Sequence, residues 1–254
     1  MARRQQRGRD ERTTVRTFQQ TLFEMQTQWG GQIIQRASEI PVGGSIPTGF
    51  AVLDAVLSAS GIPCGQLTTV TAAATSGMTT LAHHLTVSAQ HHTGKPAIYI
   101  DLDDTFDGYY ASRCGVALED LLVVLPGTVQ QALEIATNVV KVADIGLVVL
   151  DLGVRQQRLN RTEIQSRLVQ MLVHALHRSS CALICLSDGV LPSIWTNEAQ
   201  LCLKMHCEKW LPDPRHPDNV CGCEAQITIA KDKGRLRETQ VTLSLPFNGV
   251  GEGE

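Results

Sequence analysis

The chain has 254 residues, 43% hydrophobic and only 4% aromatic, enough for one large α/β domain with a mainly aliphatic core. Its 22 Lys and Arg against 25 Asp and Glu leave a formal net charge of −3, so the bulk charge advertises neither nucleic-acid nor membrane affinity. No apolar run is long enough to span a bilayer, and the polar start "MARRQQRGRDERTT" lacks the apolar core of a secretory signal; a cytoplasmic protein with no membrane partner is expected.

Charge is nevertheless uneven along the chain. Arg3, Arg4, Arg7, Arg9, Arg12 and Arg16 stand against only Asp10 and Glu11, so residues 1–12 read as a disordered basic tail. Residues 13–40 read as an arm. A helix is expected over 13–29, where Val15, Phe18, Leu22, Met25 and Trp29 recur at spacings of three and four, and "GGQIIQ" follows as a short strand signal. Such a helix either packs on its own domain or docks on a neighbouring subunit.

From residue 41 to 245 the pattern is that of a single core. Strand-like runs at 66–71, 96–101, 121–125, 146–151 and 181–187 alternate with helical patterns at 79–91, 106–114, 128–142 and about 160–179. In the last of these, Ile164, Leu168, Leu172 and Leu176 mark one face. Continuously apolar strands alternating with helices imply a mostly parallel sheet covered on both sides. After residue 200 strands stand alone, at 201–206, 224–230 and 239–245, and the prolines of "LPDPRHPDN" exclude helix between the first two. The expected architecture is an α/β core finishing in antiparallel strands, with 246–254 as a flexible acidic tail.

Eight cysteines are present. Cys181 and Cys185 lie in an apolar run and read as small buried hydrophobes. Cys202, Cys207, Cys221 and Cys223, with His206 nearby, can be drawn as a zinc site, but their spacing matches no finger pattern, and free thiols are the expectation.

One stretch carries chemistry. A phosphate loop needs G-x-x-x-x-G-K-[ST] between a strand and a helix: glycines let the backbone approach, successive N–H groups cradle phosphate, lysine neutralises it, and the hydroxyl binds Mg²⁺. "TAAATSGMTT" (71–80) has the strand before it and the helix after it. Ser76, Gly77, Thr79 and Thr80 suit such a loop, whereas Ala72 replaces the first glycine and Met78 the lysine. A hydrogen bond to a charged group contributes roughly 1.5–3 kcal/mol, and methionine offers none, so hydrolysis of ATP should be severely weakened even where ATP and Mg²⁺ still bind. Asp151 ends the apolar strand "GLVVLD", where a carboxylate can hold Mg²⁺ with Thr79. Asp103 follows "IYID" at another strand end, where a carboxylate can orient water. Either aspartate can equally be a turn residue.

Together these residues resemble the RecA recombinase family. The likeness runs through "GGSIPTGFAVLDAVLSASGIPCGQLTTVTAAATSGMTTL", "GKPAIYIDLDDTFDGYYASRCGV", "EDLLVVLPGTVQQALEIATNVV", "IGLVVLDLG" and "ITIAKDKG", about residues 22–245. It implies a P-loop NTPase fold and a role in DNA repair and recombination. It makes "EMQTQWGGQIIQRASE" similar to the arm that docks on the adjacent subunit of a filament, so a homo-oligomer is implied. It assigns Asp103 to the position of the catalytic glutamate, Asp151 to the Walker-B aspartate, and Asp188 to the glutamine that signals between DNA and the γ-phosphate. Lys231 and Lys233 fall on the pair that reaches a neighbour's ATP. The second DNA loop maps to 188–200, without Lys or Arg; the first is shortened, though Arg155, Arg158 and Arg161 keep it basic.

Three functions follow as expectations. One is a repair protein with lost or weakened ATPase that binds single-stranded DNA, repair partners or both. Another is an active ATPase using a neighbour's lysines. The third is a regulatory docking protein similar to the ImuA-type accessory factors of translesion synthesis, serving a lesion-bypass polymerase without touching DNA.

Overall fold

The computed structural model describes residues 17–29, 43–153, 163–216, 218–233 and 238–247. They fall into two units, 1–42 and 43–254. In the first unit the described element is helix α1 (Phe18–Trp29). Thr17 starts it through a reciprocal cap: Gln20 N–H donates to Thr17 Oγ1 at 3.3 Å and Thr17 N–H to Gln20 Oε1 at 3.1 Å. Val15 and the expected "GGQIIQ" strand lie outside the described residues.

The second unit opens with a small antiparallel pair, β1 (Ser45–Ile46) and β2 (Ile62–Pro63), around helix α2 (Ala51–Val56), none of which has a strong periodic signal. The regular alternation then appears as expected: β3 (Leu67–Ala72), α3 (Met78–Thr93), β4 (Ala97–Asp101), α4 (Gly108–Arg113), β5 (Leu121–Val124), α5 (Val129–Val139), β6 (Leu147–Asp151), α6 (Glu163–Leu176) and β7 (Ala182–Asp188). Local chemistry sets the helix ends. Asp107 accepts from Tyr109 and Tyr110 N–H at the start of α4, Thr128 accepts from Gln131 N–H at the start of α5, and Gly94, at φ 62°, closes α3.

Helix α7 (Ser193–Glu198) and strands β8 (Leu201–Pro212), β9 (Val220–Asp232) and β10 (Thr239–Pro246) complete the unit. The eight-stranded sheet runs β10-β9-β8-β3-β7-β6-β4-β5. From β8 to β5 neighbours are parallel; β9 and β10 are antiparallel additions. β8 pairs parallel with β3 and antiparallel with β9, which joins the parallel core to the antiparallel strands expected at the carboxyl side. Two boundaries differ from expectation. β8 continues to Pro212, because a ladder with β9 holds residues past 206. Residues 246 and 247, expected in the tail, are held by β9 and its start: Pro246 pairs with Gly222, and Phe247 N–H donates to Cys221 O at 2.8 Å.

Apolar side chains cover both faces of the sheet. On one, Leu81 and Leu85 of α3 pack with Val70, Ile184, Leu203, Ile227 and Leu243; on the other, Leu133 of α5 and Leu172 of α6 pack with Val148, Leu150 and Trp195. Burial on both sides is why these strands read as continuous apolar runs. The carboxyl ends of β3, β4, β6 and β7 meet along one edge, which positions the candidate site.

Candidate functional site

The segment between β3 and α3 keeps the backbone form of a phosphate loop. Thr75 (φ 62°) and Gly77 (φ 81°) take left-handed conformations, and Gly77 caps α3. Gly77 also lies against the antiparallel extension: a Cβ there would stand 2.9 Å from Cys223 Sγ and 3.2 Å from Met205 Cε. The loop is fixed from within, since Ser76 Oγ donates to Ala73 O and Gly189 N–H donates to Ala72 O at 2.8 Å. Thr79 is exposed, whereas Thr80 Oγ1 shares a 2.6 Å hydrogen bond with Tyr110 Oη. Met78 is 7% exposed and belongs to the apolar core. Its side chain does the work of a core residue.

The acids at the neighbouring strand ends are engaged with the protein. Asp101 at the end of β4 accepts N–H bonds from Asp103 (3.1 Å), Thr105 (2.6 Å) and Phe106 (2.7 Å), shaping the turn into α4. Asp151 at the end of β6 accepts from Tyr99 Oη at 2.7 Å through Oδ2 and from Gly153 N–H at 3.1 Å through Oδ1. Burial is the main force raising Asp151 to about 6, with the charges of Asp101 and Asp188 adding, while the Tyr99 and Gly153 hydrogen bonds oppose the shift. Burial, and then the charge of Asp151, likewise raise the Tyr99 hydroxyl well above its usual range. The Asp103 carboxylate lies against Gly153, whose missing Cβ makes room for it. Asp188 ends β7; burial and then the charge of Asp103 raise it.

Beneath the loop, His83 of α3 is 1% exposed and neither ring nitrogen has a hydrogen-bond partner. Tyr99, Phe106 and Tyr110 surround it at ring-centroid distances of 5.9, 5.8 and 5.5 Å. Burial and then neighbouring His84 push His83 down to about 4, against the opposing charge of Asp107. It is a neutral packing residue at neutral pH.

An open pocket of about 470 Å³ adjoins the loop. Residues 73–80 form one wall; Tyr110, Trp210, Phe247 and Asp188 form the rest. The rings are linked, Trp210 to Phe247 at 6.1 Å and Phe247 to Tyr110 at 6.2 Å. Among the described residues the lining holds no Lys, Arg or His. Ala72, Asp103 and Asp151 stand near this edge but not in the lining.

The remaining expected residues lie elsewhere. Lys231 Nζ donates to Thr196 O at 3.0 Å and Asn197 O at 2.8 Å, at the carboxyl end of α7. Lys233 follows β9 with φ 43°. The segment 188–200, which maps to a DNA loop, carries α7, anchored by buried Leu191 and Trp195. Arg155, Arg158 and Arg161 lie outside the described residues. Cys202 and Cys223 are buried and Cys207 and Cys221 half-buried, all as free thiols. No described helix is long and apolar enough to cross a membrane.

Sequence reasoning missed Tyr99, Tyr110, Trp210 and Phe247. A signal existed for Tyr99: a hydroxyl in the otherwise apolar strand "AIYID" must find a buried partner, and the nearest strand-end acid supplies it. Trp210 was hidden because the strand signal faded four residues before it.

A mostly parallel α/β sheet with a strand–glycine loop–helix junction at its carboxyl edge defines a P-loop-type fold. The RecA N-terminal domain family matches residues 16–184, two thirds of the chain, and the chain belongs to the RecA family. Among curated relatives it is similar to Protein RecA of Herpetosiphon aurantiacus, 39% identical over 51% of this chain and 36% of that protein. Protein RecA of Chloroflexus aurantiacus is 43% identical over 42% of this chain and 30% of its own length, and that of Rhodospirillum rubrum 41% over 46% and 31%. The chain thus spans about a third of the length of these relatives.

Proposed function

We propose that this chain is a RecA-like protein of DNA repair or recombination whose ATPase activity is lost or much weakened, and which acts by binding single-stranded DNA, partner proteins or both. One observation carries the loss of activity: position 78, where a phosphate loop needs its lysine, holds a methionine buried in the core, and no described residue lining the pocket supplies another cation. Phosphoryl transfer needs charge neutralisation at the transferred group, and removing one stabilising donor from such a site typically costs about 10²–10³ in rate. Membership of the family supports the setting in repair.

The reading in which a neighbour's lysine restores the ATPase draws less support, because Lys231 is already held by two carbonyls of its own chain. A docking role beside a lesion-bypass polymerase agrees with the anchored helix in segment 188–200, and its difference from the main reading is the DNA itself.

Two measurements on the full chain test the proposal. Release of phosphate from ATP with Mg²⁺, with and without single-stranded DNA, should stay at background; DNA-stimulated turnover sinks the loss of activity. Fluorescence anisotropy with a labelled single strand should show binding that weakens with salt and is lost on replacing Arg155, Arg158 and Arg161 by Ala. No binding at low salt leaves the docking role in its place.

A further inference from the structure

The family's chemistry calls for Mg²⁺ at this edge, so the residues present must be asked whether they suit it. Thr79 does: its hydroxyl is exposed in the pocket lining. Asp151 does not. One oxygen accepts from the Tyr99 hydroxyl and the other from the Gly153 N–H, and Asp151 is 7% exposed and absent from the pocket lining where Thr79 stands. Tyr99 itself is 2% exposed, and among its neighbours Asp151 is the acceptor its hydroxyl uses. A carboxylate oxygen that accepts one hydrogen bond keeps another lone pair, so what separates Asp151 from a metal at Thr79 is its burial outside the pocket lining.

The pocket's own charge points the same way. Its described lining has no basic residue and one acid, Asp188. A triphosphate entering there brings several negative charges toward a carboxylate, without the lysine or the metal that would offset them. What the pocket does offer is hydroxyls, loop amides and three linked aromatic rings, with Trp210 46% exposed at the mouth. Rings of this kind stack planar heterocycles independently of phosphate.

We propose that this pocket binds a planar ligand of low charge, a nucleoside or nucleoside monophosphate, on the Tyr110–Phe247–Trp210 rings and without a divalent cation. The phosphate preference of a P-loop is inverted: affinity falls as phosphates are added. The inference rests on the reading of the chain as one that no longer hydrolyses ATP.

The test is calorimetric titration of the full chain with adenosine, AMP, ADP and ATP, and with the guanosine series, each in Mg²⁺ and in EDTA. The expected result is tightest binding by the nucleoside or monophosphate of one series, ATP weaker by about tenfold or more, and less than about a twofold change on chelation. Trp210→Ala, at an exposed position that leaves the core alone, should weaken binding of the preferred ligand about tenfold. Tighter binding of ATP with Mg²⁺ than of AMP, absence of binding by all eight ligands, or unchanged affinity in Trp210→Ala overturns the proposal. Tight binding of ATP with Mg²⁺ but no turnover defeats this inference alone, whereas turnover defeats the proposed function as well.

Discussion

The loop after β3 and the acids at the ends of β4 and β6 belong to the same sheet edge, yet they are built in different ways. The loop has the left-handed Gly77, the strand before it and the helix after it, with Ala72 and Met78 where the pattern has glycine and lysine. The acids keep their side chains, but their oxygens now accept from Tyr99 and from the chain's own N–H groups. One region has the shape of a phosphate loop without its cation; the other has acids whose oxygens are engaged within the chain. A carboxylate at a strand end is thus no guide to activity until its partners are known.

The largest effect is expected where that engagement is most complete. Asp101 holds three backbone N–H groups of the turn after β4, and Asp101→Ala leaves them without their acceptor. Urea denaturation should show a loss of about 3–5 kcal/mol, with the turn and the aromatic cluster around Phe106 disturbed. A loss below about 1 kcal/mol would mean that Asp101 does not hold the turn.

Acid separates the two regions further, because His83 under the loop and Asp151 at the strand end respond with opposite sign. His83 falls from 6.5 to about 4 in the folded chain, so the unfolded chain takes up the proton first. Its contribution is complete above about pH 6.5 and is lost as pH falls toward 4, amounting to about 3 kcal/mol. Asp151 rises from 3.8 to about 6, so here the folded chain takes up the proton first, and acidification from pH 6 to 3.8 stabilises by about 3 kcal/mol. The two nearly cancel in the wild type. His83→Leu should therefore gain stability relative to wild type between pH 7 and 4.5, and Asp151→Asn should lose it, with the Tyr99 hydroxyl still able to donate to the amide oxygen. Unfolding free energies at the two pH values read both; changes of the same sign would break the assignment.

Much of this was legible in the residues. The apolar runs at 66–71, 96–101, 146–151 and 181–187 are strands β3, β4, β6 and β7 with ends shifted by one residue or so, because strands buried on both faces leave little freedom in composition. The loop announced itself through Gly77 and its flanks. What stayed hidden depends on contacts distant in sequence. Nothing near Asp151 says that the Tyr99 hydroxyl, 52 residues earlier, will take its oxygen. Nothing near Trp210 says that Phe247 will meet it beside the loop, since that pairing exists only once β8 and β9 have formed their long ladder. Helix α7 escaped because six residues between a proline and a strand are too few for periodicity to register.

The smallest effect concerns Lys231, which sits in neither region and decides how independent the single chain is. Its ammonium donates to the Thr196 and Asn197 carbonyls, two of the orphan acceptors at the end of α7. A cation at a helix carboxyl end contributes about 0.3–1 kcal/mol, so Lys231→Met, which keeps most of the aliphatic stem, should lower stability by about 1 kcal/mol or less. Because the bonds lie within one chain, this loss should be the same at every protein concentration. A variant with unchanged stability at low concentration but weakened self-association would place Lys231 at a neighbour's surface instead. It would then supply a cation to the loop from outside, and the contrast between a loop without a cation and acids engaged within the chain would hold only for the isolated chain.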